Sequence, residues 1–241
     1  MDAIRPSRAA DRRLSVAAAF VFPLIILAGF ARTYYLSSLS SAPPLPSLVV
    51  HVHGALMTAW VALFVVQVWL VSARRVRVHR RLGYSAIGLA VLILATGTVT
   101  ALRAAKYGSA STPPGVEPVR FLIVPMFDLL MFAVLFGGAV YYRRRLPAHR
   151  GLMLLTAINF LPPALARIRV PALQALGPAW FFGVPLALGI ACLVVDARAR
   201  GGVNRVLASG LAMLAASYVV RLSVMSTDTW LAVATWATSF V

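Results

Sequence analysis

Two of the four histidines in the chain sit inside a repeated phrase. Residues 74–84 read RRVRVHRRLGY and residues 144–154 read RRLPAHRGLML. They share Arg-x3-His-Arg-x-Leu, at Arg75/His79/Arg80/Leu82 and at Arg145/His149/Arg150/Leu152. Imidazole is a common ligand of haem iron, and guanidinium pairs with carboxylates in a fixed fork. His79 and His149 at one depth would supply two axial nitrogens. Arg80 and Arg150 would supply partners for the haem propionates, and Gly83 and Gly151 would leave room for a flat ring. The phrase also has a plainer meaning. Arginine-rich turns mark the inner ends of membrane helices, and a histidine there can bond the free N–H groups of a helix start or rest among lipid headgroups. Other metal chemistry has little to draw on. No carboxylate or thiolate adjoins the two histidines, and Cys192 is the sole cysteine, so a Cys-based metal site and an internal disulfide are both excluded.

A second polar pattern runs through residues 49–72. His53, Trp60, Gln67 and Arg74 recur every seventh residue, close to two helical turns, and so share one face. The stripe extends about 31 Å at 1.5 Å per residue. Facing lipid it would be costly, so it should face the bundle interior. His51 points elsewhere, towards the outer interface. Asp128, Arg167 and Arg221 are the other costly residues, all in the outer half of apolar stretches. Asp128 is expected to pair with Arg221 or Arg167, with His53 at similar depth. Such a cluster is either a lock between helices or a ligand or proton site.

These residues sit in an unusually apolar chain. Of 241 residues, 61% are hydrophobic and 12% charged, against about 25% charged in soluble domains, so the chain is read as one all-α, polytopic transmembrane domain over residues 1–241. Seven spans are predicted, at about 14–32, 49–72, 82–104, 120–142, 151–169, 178–196 and 206–224, with an interfacial tail over 228–241 carrying Trp230, Trp236 and Phe240 and capped by Asp228. The first apolar run has the outline of a signal peptide, but it is long and no A-x-A site follows, so it is read as the first span. SSLSSAPPLPS (37–47) and YGSASTPPGVEP (107–118) read as loops. Pro162-Pro163 should kink or unwind the fifth span. Most of the 23 basic residues fall in the N-terminal segment, the two His-Arg turns and residues 198–205, which predicts N-in, C-out. The net charge of +17 lies between apolar spans, so it points to the bilayer and its anionic headgroups at the inner face rather than to nucleic acid. Lys106, the only lysine, falls in a predicted loop, which argues against a retinal Schiff base.

The pattern His53…Trp60…Gln67…Arg74…His79-Arg80-Arg81-Leu82-Gly83 resembles a widespread family of uncharacterised bacterial inner-membrane proteins. So do the block from Arg143 to Met153, Pro163-Ala164 with Arg167, and the Trp near the C-terminus. The likeness covers most of the chain from about residue 48 and brings no established chemistry with it. A more distant resemblance is to the cytochrome b561 group, whose four-helix core holds two b-type haems between histidines of alternate helices. His53-Gly54-Ala55-Leu56-Met57 is similar to that group's His-Pro-x-Leu-Met, with Gly for Pro. The fourth span has Asp128 and no histidine, so the resemblance implies at most one haem b, at the inner side, with His79 and His149 as ligands.

Two function classes follow. One is membrane electron transfer through that haem, with a redox partner. The other is a transporter or small-molecule receptor whose cavity lies near His53, Asp128, Arg167 and Arg221. An organising protein without a ligand is a third.

Overall fold

A computed structural model describes residues 8–39, 47–109, 112–113 and 115–241. Parts of both predicted loops, residues 40–46 and 110, 111 and 114, lie outside the described residues, as does Arg5. Among the described residues there is no strand. The helices are α1 (Arg8–Phe30), α2 (Leu48–Ser72), α3 (Val76–Tyr107), α4 (Pro118–Phe121), α5 (Ile123–Tyr141), α6 (Leu146–Asn159), α7 (Leu161–Leu165), α8 (Pro171–Gln174), α9 (Val184–Arg200), α10 (Arg205–Val224) and α11 (Asp228–Thr238). A π-helical turn continues α1 over Ala31–Tyr35 and another precedes α9 over Ala179–Gly183.

Six helical segments among the described residues are long and apolar enough to cross a membrane: Arg13–Tyr35, Leu48–Ser72, Val76–Tyr107, Pro118–Tyr141, Ala179–Arg200 and Arg205–Val224. The segment predicted as a fifth span, 151–169, is not among them. It folds as the 14-residue α6, a break at Phe160, and the short α7. Fourteen residues rise only about 21 Å. The cause is Pro162-Pro163: neither has an N–H for the carbonyls four residues back, so the helix restarts with proline in its first turn. This interrupted segment is the most enclosed of all, with Leu155, Thr156, Asn159 and Ala164 wholly buried.

Two helical hairpins build the core. α2 turns into α3 through Ala73–Arg75, and α5 into α6 through 142–145. The hairpins pack together along α3 and α5. Trp60 stands edge-on to Phe132 and Phe136, at 4.9 and 5.1 Å between centroids, and joins α2 to α5. α1, α9 and α10 pack around α6 and α7. α1 belongs to the bundle: Phe22 and Ile26 are buried, and Gly29 lies directly against the Ala164 backbone, where a side chain would not fit. Apolar side chains on the outer faces, among them Phe20, Val91, Ile190 and Val219, are exposed.

Two details correct the sequence reading. α3 is longer than the predicted 82–104 because arginine and histidine continue a helix readily and nothing interrupts it before Gly108 at φ +83°. Lys106 therefore lies in the last turn of α3, not in a loop, and donates to the Val241 carbonyl. The cap of α11 is Thr227, whose Oγ1 accepts from the Trp230 N–H at 3.2 Å. Asp228 is the first helical residue and pairs with Arg120 instead.

Candidate functional site: the paired histidines

The repeated phrase becomes a repeated local structure. Arg75 caps α3 and Arg145 caps α6; each histidine lies four residues on, with its N–H bonded to the cap carbonyl at 3.1 Å for His79 and 3.0 Å for His149. Equal register at the start of two helices brings the imidazoles to one level. Their centroids lie 6.4 Å apart, with the ring planes at 81°. His149 Nδ1 is 2.8 Å from the Ala139 carbonyl on α5. A carbonyl only accepts, so Nδ1 carries the proton and Nε2 is left as a lone-pair donor. His79 Nδ1 is buried with no hydrogen-bond partner among the described residues. One turn above His79, a Cβ on Gly83 would meet only the Gln67 amide, at 3.8 Å.

The two neighbouring arginines are placed differently. Arg80 is exposed. Arg150 forms an ion pair with Asp196 of α9, and Asp196 also accepts from Arg200 Nε at 2.9 Å. Asp196 is 2% exposed, the most important residue at this end that sequence reasoning passed over. The signal was there: a lone carboxylate at the start of DARAR, four residues before an arginine. Asn204 ties the same end together, donating to the Pro147 carbonyl at 3.1 Å and accepting from the Leu207 N–H at 3.2 Å. Both hairpin turns, the end of α9 and the start of α10 thus meet at one basic end of the bundle.

The stripe on α2 divides. Trp60 is buried and Gln67 half-buried, and among the described residues neither the Trp60 indole N–H nor Gln67 Oε1 has a hydrogen-bond partner. His53 Nδ1 lies 3.1 Å from Thr96 Oγ1 on α3, and its ring edges onto Gly97. Arg74 is exposed and lies beyond the helix end.

The cluster around Asp128 is narrower than the sequence implied. Asp128 pairs with Arg221, Oδ1 to Nη1, at 2.5 Å, with the arginine side chain wholly buried. Arg221 also reaches Ser217 Oγ at 3.4 Å and sits over the Tyr218 ring. Asn159, which sequence reasoning did not single out, donates to the Asp128 carbonyl at 2.9 Å. Arg221 Nε, Tyr218 Oη and Asn159 Oδ1 are buried without partners among the described residues. Arg167 is elsewhere: it donates to the Pro163 carbonyl at 2.7 Å and covers the Phe30 ring at 4.6 Å. The helix break explains this, because residues after Pro163 leave the α6 axis and turn towards α1.

Compared with protein families, curated proteins and solved structures, the chain gives no significant match. Among the described residues no group of three or more His, Cys, Asp or Glu side chains is placed to hold a metal ion.

Proposed function

We propose that the chain is a multi-pass membrane electron-transfer protein holding one b-type haem at the basic end of its bundle, with His79 and His149 as axial ligands. The observation that carries this reading is the separation of the two rings, 6.4 Å between centroids. Two metal–imidazole bonds of about 2.0–2.1 Å, added to two ring radii, give roughly 6 Å. When bound, haem supplies one-electron chemistry.

The chain's own residues do the rest. The Ala139 carbonyl fixes the His149 tautomer and presents Nε2. Trp60, Phe132 and Phe136 pack edge to face and hold α2 against α5. Arg80 is the accessible partner for a propionate. Arg150, engaged by Asp196, positions the start of α6 instead. In the bilayer we place the basic end inside, giving N-in and C-out in a bacterial inner membrane, with α6–α7 completing a seventh crossing. The test is an absorption spectrum of protein expressed with haem precursor, air-oxidised and then dithionite-reduced. A sharp reduced α-band, lost in His79→Ala and in His149→Ala, is expected; a colourless wild-type protein overturns the reading.

A transporter or receptor for a small polar ligand is the second reading. It is favoured by the three unpartnered polar atoms around the buried Asp128–Arg221 pair. The double variant Asp128→Leu with Arg221→Met, which removes both charges and strands neither, separates the two: electron transfer survives it, whereas uptake of a polar ligand does not.

A further inference from the structure

Along the outside of the bundle, α3 and α5 border a lateral groove of about 230 Å³. Its walls are Ile87, Val91 and Leu94 of α3 and Ala133, Gly137 and Val140 of α5, without a charged side chain. The groove exists because of residue size and register. Higher up, α3 and α5 are in close contact: a Cβ on Gly97 would come within 2.8 Å of Leu129. Lower down, Gly137 carries no side chain, and a Cβ there would meet nothing within 4 Å. The two helices are therefore tightly packed at Gly97 and leave space at Gly137, towards the basic end. From Ile87 to Leu94 it runs roughly 10 Å along the helix.

Cations follow the last groove residue of α5. Arg143 donates through Nη1 to the carbonyl of Val140, the last groove residue on α5, at 3.1 Å. Arg144 is exposed beside it. On the α3 side, Tyr84 lies one turn before Ile87 and is 72% exposed, with its phenol free to reach an interface. An apolar slot facing lipid, with guanidinium groups and a phenol at one end, has the layout of one acyl chain continued by an anionic headgroup.

We propose that this groove is a specific site for an anionic phospholipid. One acyl chain lies over Gly137, and the headgroup phosphate rests on Arg143 and Arg144 with Tyr84 opposite. A glycerophospholipid bearing net negative charge fits better than a zwitterionic one, because choline would bring a second cation to the arginines. The site stands apart from the haem reading and does not depend on it.

The test is native mass spectrometry of the full chain after exchange into nanodiscs of equal parts phosphatidylglycerol and phosphatidylcholine. One phosphatidylglycerol should stay with each wild-type chain. Gly137→Leu puts a side chain into the open slot, where a Cβ meets nothing within 4 Å, and favours helix; it should abolish that retention while thermal unfolding is unchanged or improved. Arg143→Gln should weaken retention roughly fivefold, the worth of one interfacial arginine. Excess inorganic phosphate should fail to displace the lipid, since phosphate lacks the chain. Equal retention of phosphatidylcholine, full retention in Gly137→Leu, or displacement by phosphate overturns the proposal.

Discussion

Asp128 and Arg221 show how little freedom a charge has inside an apolar bundle. Each is buried, and the two meet across α5 and α10 at 2.5 Å. A buried pair contributes little net stability compared with an apolar pair of the same shape, yet losing one partner strands the other. Asp128→Ala should therefore destabilise the protein by about 3–5 kcal/mol, and Asp128→Leu with Arg221→Met should recover most of that. Thermal unfolding in detergent measures both. A double variant as unstable as the single one would mean that the pair contributes through something other than mutual neutralisation. At this scale the sequence was legible in part. An acid and an arginine in apolar runs announce a pairing, but which arginine is a matter of geometry. Arg167 was an equal candidate until the break at Phe160 carried it to Phe30.

At the scale of elements, the turn between α2 and α3 holds a cost that the chain accepts. The Arg75 N–H reaches back to the Leu70 carbonyl at 2.8 Å and the Arg74 N–H to Val71 at 3.1 Å, the two bonds of a Schellman motif. That motif places Arg74 at φ +59°, where glycine is normal and a side chain crowds its own carbonyl. Arg74→Gly should stabilise the protein by about 1 kcal/mol, read as a higher unfolding temperature. No change would mean that the arginine's own contacts offset the strain. The helices themselves were largely readable, since long apolar runs bounded by Pro, Gly and Arg have few other options. The exception was the fifth predicted span. Its apolar content resembled the others, but paired prolines override composition by removing two backbone donors. α6–α7 became a buried, interrupted segment instead of a continuous rod.

On the scale of the whole molecule, the basic end is an assembly of parts distant in sequence: two hairpin turns, the end of α9 and the start of α10, joined by Arg150–Asp196–Arg200 and by Asn204 on Pro147. The proposed N-in, C-out arrangement puts this end inside and α11 outside. In a Cys192→Ala background, Arg144→Cys in spheroplasts should resist a membrane-impermeant maleimide until the cells are lysed. Trp236→Cys should react at once, because that side chain is 65% exposed. The reverse labelling would invert the topology.

What the sequence by itself determined is the class of fold: its apolar runs form helices, six of them long and apolar enough to cross a membrane, and the repeated Arg-x3-His-Arg phrase sets both histidines at the same position of a helix start. Only the tertiary structure decided that the two starts lie side by side, that Arg150 is engaged by Asp196, and that α3 and α5 border a groove. The physical reason is one of range. Helix formation and apolar burial are read from neighbours along the chain, whereas an ion pair, a ring contact or a gap between helices depends on packing angles that no local pattern encodes.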